Sequence, residues 1–305
     1  MANASTTFAD TDARIAREII AALDKHASNP IGWKMPWDAF AGFPVNAVTG
    51  RSYGGSYNAL VLMFAAASFG GDQRWAGFGQ WRKKGNPVKK GEHGVTIFFP
   101  RFACASCNAP AGWAKKCRKC GQEFKKSADK RMTGFSQSTV FNNQQTVEPL
   151  PMAEVKDVDP AEGFEAAAAI VAKAGADVRH GGGRAFYSPS GDYIGLPEPG
   201  AFATVADYWN TSLHEHAHWT GHASRLARVG ITRPNGYSRE VYAYEELVAE
   251  ISTSFLCKHA GVDRPGLDDQ HIAYLASWRK ALTDDPSIIR KAVGEAGKVL
   301  RYLTK

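Results

Sequence analysis

Residues 214–218 read His-Glu-His-Ala-His, and within them His214, Glu215 and His218 stand at the spacing by which one helix offers two imidazoles to a single metal ion. Four residues turn an α-helix by about 400°, so His214 and His218 leave the same face with their Cβ atoms about 6 Å apart. Glu215 then sits beside the metal as a candidate general base. The chemistry of such a set is hydrolysis: zinc lowers the pKa of a water to about 7 and polarises a carbonyl, and the carboxylate carries a proton to the leaving amine. His216 lies two positions from each flanking histidine and reads as a packing or surface residue.

These side chains need a helix to hold them. Residues 202–213 contain neither Pro nor Gly and repeat apolar groups at helical spacing, which predicts a helix running to about Trp219, with Gly221 as its stop. The longer pattern with a third histidine is not met, because position 224 is serine. A third ligand must therefore come from another element. Residues 244–256 read as a second helix, with Leu247, Val248, Ile251 and Phe255 on a buried stripe and Glu246 and Glu250 one turn apart on another face. Two histidines and one carboxylate leave a fourth position for water, the composition of a catalytic rather than a structural site. This pair of helices resembles that of gluzincin metallopeptidases. The resemblance implies Glu246 as the third ligand and Glu250 as the carboxylate that orients a ligand histidine, with Glu250 as ligand the alternative. Zinc is the expected metal, and manganese suits the same donors. Tyr193, His222, Tyr237 and Tyr242 are candidate donors to a developing oxyanion. Residues 187–196 predict a hairpin whose second strand, 193–196, is expected to be a sheet edge on which an extended peptide could lie.

A second metal site is written in cysteines. Cys104 and Cys107, then Cys117 and Cys120, form two Cys-x-x-Cys pairs with nine residues between them, the spacing of one tetrahedral structural zinc. The first ten residues hold no basic start and no apolar stretch of signal-peptide length, so a reducing cytoplasm is the expected location and zinc, not disulfide, the expected state. Cys257 reads as a small core residue.

A chain of 305 residues with 44% hydrophobic content holds two ordinary domains. The expectation is α+β throughout. A small mixed domain spans residues 1–150, with strands from about Val95 and an inserted zinc ribbon at 102–122. A proline-punctuated linker follows at 151–160, then a domain at 161–305 that starts with a helix over 160–174 and ends with two helices separated near Pro286. The longest apolar run, 59–69, is too short to cross a membrane.

The net charge of +7 is unevenly spread: residues 1–150 carry 20 Lys and Arg against 10 Asp and Glu, and the remainder 17 against 20. Aromatic residues, including Trp33, Trp37, Tyr53, Trp75, Phe78 and Trp81, are interleaved with that positive charge. Rings and cations together suit single-stranded nucleic acid, which is held by base stacking and phosphate contacts, although most such rings must be core.

Both halves resemble one family, the ArdC-type antirestriction proteins. The stretch from Pro44 through Asn46, Gly50, Tyr53 and Asn58, the Arg74-Trp75-x-x-Phe78 motif and residues 85–94 are similar to the N-terminal domain. Residues 214–222, 245–250, 277–278 and 285–303 are similar to its zincin-like metallopeptidase domain. The resemblance implies binding of single-stranded DNA, a metal-binding C-terminal domain acting on an unknown protein substrate, and protection of incoming DNA on a mobile element. Arg51, Tyr53, Asn58, Arg74, Trp75, Lys83, Lys84, Lys89 and Lys90 are the candidate DNA contacts. The four-cysteine ribbon is an insertion that many relatives lack, so the resemblance assigns it no role. Two further readings stand beside this one: a DNA-binding shield whose metal site is not catalytic, and a SprT-like protease for DNA–protein crosslinks.

Overall fold

Several helices in this chain start at short polar side chains that satisfy the first free backbone N–H groups. Thr204 and Asp207 form a capping box before the histidine helix, with Asp207 N donating to Thr204 Oγ1 at 3.1 Å and Thr204 N to Asp207 Oδ2 at 2.9 Å. Ser56 and Ser238 cap two other helices in the same way. The computed structural model describes residues 7–26, 42–111, 114–151, 160–232, 238–263 and 269–305. Trp33, Trp37, Tyr237 and most of the expected linker lie outside the described residues.

The fold is α+β, in two compact units: Met1–Arg74 with Leu150–Lys305, and Trp75–Pro149. The chain begins with α1 (Phe8–His26), β1 (Val45–Asn46) and α2 (Tyr57–Ala66) in the first unit. It then builds β2 (Arg74–Gly77), α3 (Phe78–Lys83), β3 (Val95–Cys104) and β4 (Lys130–Asn142). On return to the first unit it forms α4 (Pro160–Ala174), β5 (Asp177–His180), β6 (Phe186–Ser188), β7 (Tyr193–Leu196) and α5 (Val205–Trp219). The helices α6 (Val229–Thr232), α7 (Arg239–Ala260), α8 (Asp269–Asp284) and α9 (Ile288–Thr304) complete it.

The chain re-enters the first unit at Leu150, beside the expected linker, but the residues before Trp75 pack with the C-terminal part. The reason is apolar: Ile15, Ile19 and Leu23 of α1 and Leu60 and Met63 of α2 share one core with Leu213 of α5, Leu247 and Phe255 of α7, and Val293 and Leu303 of α9. The apolar run at 59–69 is thus buried over residues 59–66 of α2 except the partly exposed Ala65, and no helix among the described residues is long and apolar enough to cross a membrane. Cys257 is 1% exposed, in the same core.

Two details of the sheets matter for the site. In the three-stranded sheet the order is β5-β7-β6, with β7 parallel to β5 and antiparallel to β6. The expected edge strand 193–196 is therefore central, because residues 177–180 pair with its other side, and the edges are β5 and β6. In the second unit β3 and β4 pair antiparallel from Val95↔Val140 to Cys104↔Lys130, whereas β2 reaches β4 only at Val140, Phe141 and Asn142. The four cysteines lie at the far end of that long β3–β4 ribbon.

Candidate metal centre and nucleic-acid surface

α5 is buried from Ser212 to Trp219 apart from His214, which is only partly exposed, and α7 runs against it. The helical repeat brings His214 Nε2 within 3.2 Å of His218 Nε2. Glu246 of α7 places Oε2 3.5 Å from His214 Nε2 and Oε1 3.5 Å from His218 Nε2. Tetrahedral zinc with bonds of about 2.0–2.1 Å sets its ligand atoms roughly 3.3 Å apart, so these three donors have the separation a single ion requires. Charge makes the same demand. Glu215, Glu245, Glu246 and Glu250 are all buried, none more than 7% exposed, and Arg228 is the single buried Lys or Arg among the described residues. Buried carboxylates in such excess call for a cation.

The outer layer of the site is better defined than sequence spacing indicated. His218 Nδ1 lies 3.2 Å from Glu245 Oε1. Arg228 clamps the same carboxylate, with Nη2 2.6 Å from Oε1 and Nε 3.0 Å from Oε2, and also donates to Thr220 Oγ1 at 2.8 Å and Ala217 O at 2.7 Å. An ionised Glu245 can only accept, so His218 donates from Nδ1 and keeps the Nε2 lone pair for a metal. Burial alone would lower the His218 pKa, but the charges of Glu246 and Glu245 outweigh it and hold it well above the usual histidine range. Burial would likewise raise Glu246, and the His218 charge with the His214 hydrogen bond pulls it far down instead. Glu250, fully buried, places Oε2 3.7 Å from His214 Nδ1. The geometry thus brings Glu246 to the metal-facing nitrogens and Glu250 to the far side of a ligand ring.

Arg228 and the role of Glu245 escaped sequence reasoning, although two glycines were signals. A Cβ on Gly230 would fall 2.6 Å from Glu245 Cβ, and one on Gly221 would fall 2.9 Å from Arg228 Nη2 and 2.6 Å from Ile231 Cγ1. Gly221 therefore makes room for the clamp rather than ending α5 through a left-handed turn; α5 ends at Trp219, as expected, with Thr220 as its cap. His216 is fully buried, with Nδ1 2.6 Å from Ser212 O, and burial lowers its pKa to about 4; it packs as a neutral ring. Of the oxyanion candidates, His222 Nδ1 is engaged with Ser224 Oγ at 2.8 Å and Tyr193 is covered by the Arg179 guanidinium at 4.0 Å. Tyr242 is 42% exposed.

The four cysteines converge as their spacing predicts. Cys104 and Cys120 sulfurs are 3.7 Å apart, and those of Cys107 and Cys117 3.5 Å. Zinc–sulfur bonds of about 2.3 Å in a tetrahedron require roughly 3.8 Å. The two knuckles are copies of one turn: Asn108 N donates to Cys104 O and Gly121 N to Cys117 O, each four residues on and each with left-handed backbone, φ 60° and 79°. Backbone N–H groups of Cys120 and Lys119 hold the Cys117 thiol down at about 6, so it is ready as a thiolate.

The candidate DNA contacts divide between the units. Arg51, Tyr53, Asn58 and Arg74 belong to the first; Trp75, Lys83, Lys84, Lys89 and Lys90 to the second. Trp75 is fully buried and Asn58 is 8% exposed, so neither offers a face to a base. Arg74 is committed to Asp72 through Nε at 2.8 Å and Nη2 at 2.7 Å, and Tyr53 is half-buried. Arg51, Lys83, Lys84, Lys89 and Lys90 are exposed. Phe78, at the start of α3, is 52% exposed and offers the ring that Trp75 does not.

Comparison with known proteins agrees with this geometry. Residues 9–141 match the family model described as the N-terminal domain of anti-restriction factor ArdC, and residues 165–295 that of a zincin-like metallopeptidase. The chain is similar to the metal-free crystal structure of the antirestriction ArdC protein from the R388 plasmid, with 32% identity, TM-score 0.70 and coverage of 97% of each chain. The chain belongs to the ArdC family. The Mn(II)-bound structure of R388 ArdC matches at 30% identity and TM-score 0.68 over 96% of both chains. Protein y4eC of Sinorhizobium fredii (strain NBRC 101917 / NGR234) is 31% identical over 97% of this chain and 92% of its own. A DNA primase TraC of Escherichia coli is 37% identical over 89% of this chain, yet this ArdC-family chain spans only 18% of that primase; for a second TraC the identity is 38% and the span 25%.

Proposed function

We propose that this ArdC-family protein is an antirestriction factor of a mobile element that binds single-stranded DNA and uses a metal-dependent peptidase site against a protein met on that DNA. The observation that carries the reading is the convergence of His214, His218 and Glu246 at ligand separation, with Glu215 beside them on the same buried helix. The Mn(II)-bound R388 relative supports a metal there, with zinc or manganese as the native ion. When bound, the metal supplies Lewis acidity that polarises a carbonyl and acidifies water. Glu215 accepts the proton and returns it to the leaving amine. Glu245, held by Arg228, keeps the proton of His218 on Nδ1, while Glu250, 3.7 Å from His214 Nδ1, places a negative charge behind that ring without a hydrogen bond to it.

The two family matches support a functional division into a DNA-binding part, 1–150, and a peptidase part, 161–305. Lys83, Lys84, Lys89, Lys90 and Arg51 supply phosphate contacts and Phe78 a stacking ring. Four thiols serving as zinc ligands fit a reducing cytoplasm.

The decisive experiment replaces Glu215 by Gln. The variant is expected to retain metal and single-stranded DNA binding while losing protection of transferred DNA from a restricting host. Full protection by that variant would sink the peptidase reading in favour of a DNA-binding shield.

A further inference from the structure

Beyond the lysines at 83–90, the four-cysteine tip of the β3–β4 ribbon carries its own charge. Residues 101–131 hold nine Lys and Arg against two acids, Glu123 and Asp129. The structure sorts these charges. Lys130 turns inward, donating to Ala114 O at 2.9 Å and lying 4.6 Å from the centre of the Phe124 ring, and Arg131 donates to Asn108 Oδ1. Asp129 is consumed by the backbone N–H groups of Lys125 and Lys126, at 2.8 and 2.7 Å. Glu123 pairs with Lys125 at 2.8 Å. What remains on the surface is Arg101 on β3 and, at the tip, Lys115, Lys116, Arg118, Lys119 and Lys126, all exposed.

Their placement is tied to the four-cysteine cluster. Arg118 and Lys119 are the two residues inside the second knuckle, between Cys117 and Cys120, and Lys115 and Lys116 precede its first ligand. The matching knuckle carries Ala105 and Ser106. The turn closed by the Gly121 N to Cys117 O hydrogen bond, with the Lys115 and Lys116 that precede it, holds four cations in one short segment with no acid among them. Such a cluster raises the energy of the isolated tip through self-repulsion and is relieved by a polyanion. On β4, between this tip and the rest of the sheet, Met132 is 55% exposed and Phe135 44%. Fixed cations followed by an exposed ring are what a single strand uses, phosphates on the charges and a base on the ring.

We infer that the four-cysteine tip is a second binding site for single-stranded nucleic acid, contacting phosphates through Lys115, Lys116, Arg118 and Lys119 and a base through Phe135. The inference rests on the DNA-binding reading above and adds a site to it. The metal's part is to hold the knuckle in shape.

The test is the salt dependence of binding to a fluorescent oligo-dT by the full chain. Changing Lys115, Lys116, Arg118 and Lys119 together to Gln spares all four cysteines, and unchanged zinc content and melting temperature show an intact tip. Each single-strand phosphate contact contributes about 0.7 to the slope of log K against log [salt], so the slope is expected to fall by about 2 to 3. Phe135→Ala is expected to weaken binding about fivefold or more with the slope unchanged, as loss of stacking predicts. A four-residue variant that binds with wild-type affinity and slope overturns the tip site while leaving the DNA-binding reading in place. A loss confined to duplex DNA also overturns it, because the tip is then not a single-strand site. Absence of oligo-dT binding by the wild-type chain overturns both.

Discussion

Glu245 Oε1 stands 3.2 Å from His218 Nδ1, on the side of the ring away from Glu246, and this pair joins the candidate metal centre to a buried arginine. Replacing Glu245 by Gln keeps the shape but lets the amide donate where it formerly only accepted. The expected result is a loss of metal affinity of about 10- to 100-fold, measured by competition with a chromogenic chelator. Unaltered affinity would leave Glu245 as a partner of Arg228 alone.

Arg228 itself answers a different question. Its loss leaves the Glu245 carboxylate buried, with the His218 ring still beside it, and removing one member of a buried pair costs about 3 to 5 kcal/mol. Arg228→Met is therefore expected to lower the denaturant midpoint strongly. The double replacement of Arg228 and Glu245 by Met and Leu is expected to recover most of that loss in stability without recovering metal affinity, which a combined melt and metal titration would check.

Metal content separates the two sites. Wild-type protein is expected to hold about two ions, one on the four-cysteine set and one on the His214, His218 and Glu246 set. His214→Ala and Cys104→Ala should each reduce this to about one, by elemental analysis after exhaustive dialysis. Glu246→Gln should weaken the first site more than Glu250→Gln, since Glu246 faces Nε2 of both histidines and Glu250 faces Nδ1 of one. The reverse order would make Glu250 the ligand.

Two glycines of α9 should respond to alanine in opposite directions. A Cβ on Gly297 would strike the carbonyl oxygen of Gly55, whose backbone is left-handed at φ 66°, so Gly297→Ala is expected to destabilise by about 1 to 3 kcal/mol. Gly294, three residues earlier, has nothing within 4 Å of a built Cβ, and Gly294→Ala should stabilise by about 0.5 to 1 kcal/mol through helix propensity. Chemical denaturation of both variants decides the matter.

What could be read from the chain was local. His214 and His218 share a face by helical geometry alone, and the Cys-x-x-Cys turns close within five residues, so both were legible without a fold. Glu246 and Glu250 were legible as a pair one turn apart, and the choice of Glu246 as ligand came from the resemblance to gluzincins. Arg228 was not, because it lies in the irregular segment between α5 and α6 and acquires meaning only when Glu245 arrives from α7. Trp75 misled for the converse reason. It follows Arg74 in the basic half of the chain, which the sequence reports, but its side chain is buried on a strand paired with β4, which the sequence does not report. The central place of β7 was hidden in β5, a four-residue strand with one half-buried and three exposed side chains and hence little pattern.

Asp192 gives a prediction in pH. The hydrogen bonds of Arg225 are the main cause holding its carboxyl down at about 2, aided by Tyr187, while partial burial opposes them. Arg225 also stacks on Trp219, with its guanidinium 3.8 Å from the ring centre, so the pair ties the turn between β6 and β7 to the end of α5. A carboxyl whose pKa is depressed by folding contributes stability above its unfolded value of about 3.9, and that contribution fades as pH falls toward the folded value. Asp192→Asn keeps a residue that tolerates the left-handed backbone found here, φ 49°, and removes only the charge. Thermal melts of the two proteins should therefore differ most at neutral pH and converge between about pH 4 and pH 2. A gap of constant size across that range would mean that packing on Trp219, not the ion pair, is what holds the turn in place.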